Sequence, residues 1–331
     1  MRKELELWQF IAERLEHKQN VMLLVVAESS GSSPGRRGYK MAVVADGEMI
    51  GSIGGGVMEV NLVEQSRAIL NRSAHESNGD KLPAELIDQV HRKNVPDSSG
   101  MICSGKQTVI FKLLRQGDIE SVRNAALSIE NHRGDVITLS PEVLSVVLSV
   151  KADSSDDFAF EKRSENDFIF SERLGPKDDL YIIGGGHCAL ALSEMMSKMD
   201  FHISLFDDRP GLNTIAKNKF ADKIIILESY ENIADSISAG ANVYVVVMTL
   251  GYRSDEIVIR KLLEKDFKYF GVLGSKAKMV TLLQSLRSDG FSLDRLERLR
   301  TPVGLPINSH TPEEIAISIA AEIIAVKNAA D

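Results

Sequence analysis

Cysteine is nearly absent from this chain. The 331 residues include only Cys103 and Cys188, which are too few for a disulfide framework and cannot complete even one four-cysteine iron–sulfur cluster. Both lie in glycine-rich stretches, a pattern that fits a reducing compartment. The sequence therefore predicts neither a disulfide-stabilised secreted fold nor an iron–sulfur module.

An excess of basic charge and long apolar runs are also lacking. The formal net charge is −8, which argues against a sequence-independent nucleic-acid binder, because such a protein needs a basic face. No apolar run approaches the ~20 residues of a membrane span, and residues 1–6 lack the basic and apolar segments of a signal peptide. We expect a soluble, cytoplasmic protein with no nucleic-acid or membrane partner.

The stretch from residue 180 to residue 199 has the pattern of a strand, a glycine turn and a helix. Read as G-x-G-x-x-A, it places Gly184 at the sharp turn, Gly186 where a pyrophosphate approaches the backbone, and Ala189 where the helix packs on the sheet. Free N–H groups at the helix start, next to His187, favour a bound phosphate. The alternative is a tight turn that sterics alone require.

A carboxylate follows this motif at the spacing expected for ribose recognition. Residues 202–206 are a predicted second strand that ends at Asp207, near the ~20-residue spacing of dinucleotide-binding folds. Arg209 comes two residues later and leaves the choice between NAD and NADP open. Strand, glycines, helix, strand and acid in this order favour a dinucleotide-binding fold over an isolated turn.

Further strands, predicted at 223–227, 243–248 and 269–273, alternate with helices and indicate a Rossmann-like, doubly wound parallel sheet. Open α/β sheets bind ligands at the carboxyl ends of their strands, which selects Thr249, Asp255 and Ser275 as candidates. Asp255 could equally cap the next helix, and the turn at Ser275 could bind an anion or merely cap. Glu322, in the last predicted helix, is expected at a solvated edge.

The first half predicts a β-hairpin followed by a glycine-rich turn and a helix. Strands at 41–45 and 48–53 flank Asp46-Gly47, a strong hairpin signal. The turn comprises Gly54, Gly55 and Gly56, and the nearby candidates are Glu59 and the cationic residues Arg36, Arg37 and Lys40. One interpretation is a second anion site. The other is a tight turn, with the glutamate merely favourable in the first helical turn.

A short helix is predicted at residues 84–91, and Cys103 follows between glycines, ahead of a predicted strand at 108–114. A cysteine in a flexible glycine context can present a thiolate, which is a soft metal ligand and a nucleophile. The alternative is a small buried hydrophobe. Residues 151–167 are charged and predict a surface hairpin or loop.

The fold class that follows is α/β with two domains. Residues 1–174 form an N-terminal mixed α/β domain with the β-hairpin and the glycine-rich turn. Residues 175–331 form the C-terminal Rossmann-like domain, and 175–179 are the predicted hinge.

These motifs, taken in order, resemble those of the XdhC/CoxI family over nearly the full length of the chain. In the first half the matching stretches are Gly31-Ser32-Ser33-Pro34, Lys40-Met41, Gly51-Ser52-Ile53-Gly54-Gly55-Gly56-Val57-Met58-Glu59 and Cys103-Ser104-Gly105. In the second half they are Ile183-Gly184-Gly185-Gly186-His187, Asp207-Asp208-Arg209-Pro210, Gly271-Val272-Leu273-Gly274-Ser275, Pro302-Val303-Gly304-Leu305 and Thr311-Pro312-Glu313-Glu314.

Members of this family are accessory proteins of xanthine dehydrogenase and related molybdenum hydroxylases. The resemblance implies a chaperone rather than a catalyst, which binds molybdenum cofactor (molybdopterin, with a dinucleotide form open), assists its sulfuration and inserts it into the hydroxylase. A cysteine desulfurase would supply the sulfur. By the same resemblance, Cys103 lies near the molybdenum or its dithiolene, with Glu59 and the preceding glycines in the same region. A homodimer is expected.

The chain departs from the family pattern after the fourth strand of its second half. Where relatives carry Thr-His-Asp-His and a later aspartate, this chain has Thr249-Leu250-Gly251-Tyr252 and Asp255, so both histidines are missing. Ser104 also replaces a glycine beside Cys103, which restricts the backbone. Two other functions stay open: an NAD(P)-dependent oxidoreductase, and a nucleotide-sensing adaptor of the hydroxylase.

Overall fold

The computed structural model describes residues 2–73, 84–90, 105–147 and 157–329. They divide into two compact units, Arg2–Gly175 and Pro176–Asp331. The predicted domain boundary at residue 175 stays a prediction, because compactness alone does not test independent folding. Cys103 and Ser104 lie outside the described residues. None of the helices in the described ranges has the length and apolar character that a membrane span requires.

The first unit contains a five-stranded antiparallel sheet with the spatial order β3-β2-β1-β5-β4. Its strands are β1 (Val21–Gly31), β2 (Lys40–Val44), β3 (Met49–Gly51), β4 (Glu85–Val90) and β5 (Gly105–Leu114). β1 is central, and residues 21–27 are all buried, which explains their continuous apolar run. β2 and β3 pair around Asp46-Gly47 and confirm the predicted hairpin.

The helices α1 (Arg2–Glu16) and α2 (Gly56–Ser73) pack on this sheet, and α3 (Ile119–Glu130) packs on α1. Leu62 and Leu70 of α2 pack with alternate residues of β1, among them Leu24. Trp8 and Leu15 of α1 are fully buried. The helical spacing of apolar residues in the sequence therefore marks the faces that enter the core.

The helix predicted at residues 84–91 is wrong, because this segment forms the edge strand β4. Leu86 pairs with Ile110 and Gln89 with Gln107 along β5. The short segment has weak helical preference, and the otherwise open edge of β5 offers it a complete hydrogen-bond ladder. Tertiary pairing therefore overrides local propensity.

A second antiparallel sheet has the order β7-β6-β9-β8. Its strands are β6 (Val136–Leu139), β7 (Leu144–Val147), β8 (Phe158–Ser164) and β9 (Asp167–Arg173). The sequence predicts a hairpin or a loop for the charged segment at 151–167. Because β8 pairs with β9, the described part of this segment belongs to a hairpin.

Lys40 joins the two sheets and is not an anion-binding cation. Its Nζ lies 2.6 Å from Glu172 Oε2 of β9 and 3.1 Å from Glu4 Oε1 of α1, and all three side chains are largely buried. Burial lowers the pKa of Lys40, but the Glu172 and Glu4 carboxylates outweigh this effect and hold the pKa above its ordinary value. The inclusion of Lys40 in a cationic ligand loop is therefore corrected.

The second unit is built on a six-stranded parallel sheet with the order β12-β11-β10-β13-β14-β15. Its strands are β10 (Asp178–Ile183), β11 (Phe201–Asp207), β12 (Lys223–Ile226), β13 (Gly240–Val247), β14 (Phe267–Val272) and β15 (Leu299–Arg300). In chain order this is 3-2-1-4-5-6, the doubly wound order of dinucleotide-binding folds. The predicted Rossmann-like sheet is confirmed, and its order reverses between β10 and β13.

Helices lie on both faces of this sheet: α4 (His187–Met196), α5 (Asn213–Lys217), α6 (Tyr252–Leu262), α7 (Lys276–Ser288), α8 (Leu293–Glu297) and α9 (Pro312–Lys327). Val245 and Val247 of β13 belong to one core cluster, and Val246 belongs to the other. Because strand side chains alternate between faces, a strand covered on both sides reads as consecutive valines. Thr311 and Glu314 form the predicted capping box of α9.

Glu322, expected at a solvated edge, is partly buried and hydrogen-bonded within the protein. Its Oε2 accepts hydrogen bonds from the Tyr269 hydroxyl, at 2.5 Å, and from the Gly304 backbone N–H, at 2.8 Å. Burial and then the neighbouring carboxylate raise the pKa of Tyr269. The acid is retained in the apolar helix α9 because a buried phenol and a loop N–H need an acceptor.

Candidate functional site

The predicted site residues fall into two groups, one in each unit. In the first unit, three loops meet backbone to backbone. A Cβ added to Gly54 would lie 2.4 Å from Gly35 N, and one added to Gly105 would lie 2.5 Å from Ser33 N. One added to Gly35 would lie 2.2 Å from Ile53 O. No side chain fits between these loops, so glycine is required at all three positions.

Glu59 fastens the glycine-rich turn from inside. Its Oε2 accepts hydrogen bonds from Ser52 Oγ at 2.7 Å, Ile53 N at 2.8 Å and Gly55 N at 2.9 Å. These three hydrogen bonds are more specific than the favourable charge interaction that any acid makes in the first turn of a helix. The oxygen that makes these three bonds holds the turn, so Glu59 acts as a positioning residue here.

The turn itself presents backbone. Gly55 and Gly56 have φ values of +76° and +74°, and a Cβ at Gly55 would meet no described atom within 4 Å. Arg36 and Arg37 are exposed on the loop after β1, and Arg37 Nε donates to the Ala27 carbonyl at 3.1 Å. The accessible surface of this region is therefore peptide, with two arginines on a neighbouring loop of the same unit.

A chain of buried amides supports these loops. Ser33 Oγ donates to Gln107 Oε1 at 2.8 Å, and Gln107 Nε2 donates to Gln89 Oε1 at 2.7 Å. All three residues are buried. Sequence reasoning missed both glutamines, because Gln89 lay in a predicted helix and Gln107 just before a predicted strand, and neither carries a signal until their pairing is known.

In the second unit, the candidate residues gather where the strand order reverses. Gly184 has φ +112°, and a Cβ there would lie 2.3 Å from Met248 O. The turn after β10 therefore touches the turn after β13 with no side chain between them. Gly186 is the N-cap of α4, and a Cβ there would meet no described atom within 4 Å. Its backbone is thus open at the crevice, beside the exposed His187.

The two helices that begin at this crevice, like the short α5, lack the side-chain caps that α7, α8 and α9 have. α4 begins after Gly186 and α6 after Gly251, and within the described residues no side chain caps either one. Side chains do cap α7, α8 and α9, namely Ser275, Ser292 and Thr311. Uncapped N–H groups and helix dipoles that converge on a crevice are suited to an anion.

Ser275 caps α7, as one of its two predicted alternatives has it, because its Oγ accepts a hydrogen bond from Lys278 N at 3.3 Å.

Asp255 is not the cap of α6. Its Oδ1 accepts from Thr249 N at 3.0 Å and from Thr249 Oγ1 at 2.5 Å, while Oδ2 pairs with Lys278 Nζ at 2.5 Å. Only 1% of the Asp255 side chain is exposed, so this carboxylate fixes the loop rather than facing a ligand.

Asp207 is also fully engaged. Its Oδ2 accepts from Gly185 N at 2.6 Å and Arg209 Nη2 at 2.7 Å, and its Oδ1 accepts from Arg209 N and Nε, both at 2.8 Å. Burial would raise the pKa of Asp207, but the hydrogen bonds from Arg209 and Gly185 hold it below its ordinary value. A ribose hydroxyl could reach this carboxylate only if Arg209 moved.

Two compact units, one with a glycine-rich loop cluster and one with a Rossmann crevice, define the class of protein. The family described as "XdhC and CoxI family" matches residues 14–77, and "XdhC Rossmann domain" matches residues 180–323. Together the two matches cover more than half of the chain. The chain belongs to the XdhC/CoxI family.

Relatives extend the match along the chain. YqeB of Escherichia coli strain K12 is 26% identical over 306 residues, which are 92% of this chain and 43% of YqeB. This chain thus spans less than half the length of that relative. A probable subunit of xanthine dehydrogenase from Bacillus subtilis strain 168 is 24% identical over 332 residues, 94% of each chain.

A solved structure shares the fold. The crystal structure of a xanthine dehydrogenase from Bacillus halodurans has a TM-score of 0.71 at 22% identity, and the match covers 99% of this chain and 97% of that one.

Proposed function

We propose that this protein is an accessory factor for a xanthine dehydrogenase-type molybdenum hydroxylase. Its cargo is molybdenum cofactor, which it binds, exposes to sulfuration by a cysteine desulfurase and delivers to the apoenzyme. Family membership and the name of the B. subtilis relative support the hydroxylase as partner. In this proposal the protein itself catalyses no reaction.

The observation that carries the proposal is the convergence of Gly35, Gly54 and Gly105 in the first unit. Loops packed backbone to backbone are held in one arrangement before a ligand arrives, which lowers the entropy cost of binding. A turn that presents peptide groups suits a large, phosphorylated, polar cargo such as a pterin. The proposed cargo site lies at this loop cluster.

The donor chemistry of this region is compatible with molybdenum. Cys103 precedes Gly105 by two residues in the sequence, and a thiolate is the soft donor that suits a metal bound by a dithiolene. In the proposal Cys103 contacts the metal or its sulfur ligands. Glu59, Gly54, Gly55 and Gly56 then shape the turn around the pterin.

The test is the pterin content of protein purified without air from a host that makes molybdenum cofactor. Acid oxidation converts the released pterin into a fluorescent product that can be quantified. Wild type is compared with Cys103→Ala and with Cys188→Ala. Cys188 is the matched control because it is the other cysteine, half-buried in α4, where burial raises the pKa of its thiol.

Near-stoichiometric pterin in wild type and Cys188→Ala, with a large loss in Cys103→Ala, would support both the carrier function and its site. Equal pterin in all three proteins would refute the role of Cys103. Absence of pterin from wild type would refute the carrier function.

A second candidate, nucleotide sensing by the Rossmann unit, is favoured by the uncapped starts of α4 and α6 beside the open Gly186 backbone. Here a dinucleotide would change the affinity for the hydroxylase. The assay is partner binding with and without NAD(H) or NADP(H), and an unchanged affinity would dismiss it. An NAD(P)-dependent oxidoreductase has less support, because Asp255 at this crevice is already bound to Thr249 and Lys278.

A further inference from the structure

The turn after β11 has no acceptor to spare. In dinucleotide-binding folds the carboxylate at this place accepts the hydroxyls of the ribose. Here each Asp207 oxygen already accepts two hydrogen bonds, and the side chain has no exposed surface. A carboxylate offers about four acceptor positions. All of them are used on Asp207, so it has none left for the hydroxyls of a ribose.

Donors are available at the same place. Arg209 uses Nε and Nη2 on Asp207, and its side chain is 30% exposed. The guanidinium has five N–H groups, and Nη1 makes no hydrogen bond within the part of the chain that the structure describes. Arg209 can therefore bind an acceptor on its outer side while it stays paired with Asp207.

Tyr230 supplies a second unused donor. It begins a 3₁₀ helix (Tyr230–Ser236) after β12, and it is 4% exposed. Its ring packs in the core cluster that contains Phe206, and its hydroxyl lies near Asp207, Asp208 and Arg209. The Asp208 backbone N–H approaches the hydroxyl oxygen, but among the described residues no acceptor takes the hydroxyl's own proton. Burial, followed by the Asp207 carboxylate, raises the pKa of Tyr230, so the phenol keeps its proton.

A buried hydroxyl whose proton has no acceptor is costly, and such a group is retained where a ligand satisfies it. The two unused donors, on Arg209 and Tyr230, therefore favour a ligand rich in hydrogen-bond acceptors. We propose that the Rossmann unit selects a nucleotide whose ribose carries a phosphate monoester, as in NADP, and that Arg209 and Tyr230 are the residues that select it. This inference deepens the nucleotide-binding candidate and does not depend on the cofactor-carrier function.

Asp208 limits the direction from which the phosphate can approach. Its Oδ1 lies 3.9 Å from Arg209 Nε, and about a third of its side chain is exposed. The repulsion from Asp208 acts on the Nε side of the guanidinium, whereas the unused Nη1 projects from the other end of the group. In this proposal Nη1 of Arg209 donates to the phosphate, and the Tyr230 hydroxyl is the second donor.

The experiment is calorimetric titration of the full chain with NADP⁺, NAD⁺, 2′-AMP and 5′-AMP. Wild type should bind NADP⁺ at least ~10-fold more tightly than NAD⁺, since a hydrogen bond to a charged group is worth that much. Arg209→Gln should remove this preference and leave NAD⁺ binding equal or tighter, because it frees Asp207. Tyr230→Phe should weaken NADP⁺ and 2′-AMP about fivefold and leave NAD⁺ and 5′-AMP unchanged.

Arg287→Gln, on the exposed last turn of α7, is the matched control and should change nothing. A wild type that prefers NAD⁺, that does not discriminate, or that binds neither dinucleotide at millimolar concentration overturns the proposal. An equal loss of both dinucleotides in Arg209→Gln assigns that residue a structural role and also overturns it. Should Arg209→Gln fail to fold, Tyr230→Phe decides alone. The pterin content of the same variants, measured in parallel, separates failure here from failure of the carrier function.

Discussion

The loop cluster of the first unit predicts a sharp difference between two adjacent glycines. Gly54 has φ +126°, and a Cβ there would lie 2.4 Å from Gly35 N, 2.7 Å from Pro34 C and 2.9 Å from Gly35 Cα. All three atoms are backbone and cannot rotate away. Gly55, one residue on, has φ +76° and no described atom within 4 Å of its added Cβ.

These geometries give different costs for the same chemical change. Gly54→Ala combines a backbone conformation outside the range of L-residues, about 1–3 kcal/mol, with overpacking, about 1–3 kcal/mol. We expect a loss of about 3–5 kcal/mol in the free energy of unfolding. Gly55→Ala carries only the left-handed conformation, about 1–2 kcal/mol. A domain is typically stable by about 5–15 kcal/mol, so the first change is severe and the second is tolerable.

The chain provides its own probe for this measurement. Trp8 is the single tryptophan, and it is fully buried in the first unit, so its emission in a urea titration follows that unit alone. At about 2 kcal/mol per molar urea, the two variants should differ in midpoint by roughly 0.5–2 M. Equal midpoints for the two alanine variants would show that the backbone contact at Gly54 is not a constraint, and the argument for a preformed loop cluster would fail with it.

Three further predictions concern buried charges. Lys40→Met should cost the first unit about 3–5 kcal/mol by leaving Glu172 buried beside Glu4 without its cation; a Trp8 transition that does not move would contradict this. Because the folded pKa of Lys40 lies above its unfolded value, its contribution is complete below about pH 10 and is lost as the pH rises through the folded value. Wild type should therefore lose more stability than Lys40→Met on alkaline titration. The Asp207 pKa is lowered, so its contribution is present above about pH 4 and disappears as the pH falls through the folded value; calorimetry of Asp207→Asn should show a weaker acid dependence of the Rossmann-unit transition, and an unchanged dependence would count against the contacts described.

The doubly wound sheet was predictable because its signals are local. Gly184 marks a turn whose geometry excludes other residues, Gly186 follows it at the start of the helix, and the valines around Val246 mark a strand covered on both faces. Periodicity and turn chemistry need only neighbours in sequence. The same holds for the hairpin at Asp46-Gly47.

What sequence reasoning missed depends on partners that are distant in the chain. Gln107 gains meaning only beside Gln89 on the next strand, and Glu322 only beside Tyr269. Asp207 was correctly located at the end of its strand, but its saturation follows from Arg209 folding back onto it. Spacing predicts where a side chain lies; it does not predict how many hydrogen bonds that side chain already makes.

The loop after β13 is held by contacts at both of its ends and is exposed between them. Thr249 and Asp255 bind each other, and the preceding residue, Met248, contacts the turn at Gly184. Between them Leu250 is 80% exposed. Leu250 can therefore be replaced without moving the crevice around it. Tyr252, the first residue of α6, packs against the core of the unit, so the same freedom does not extend to it.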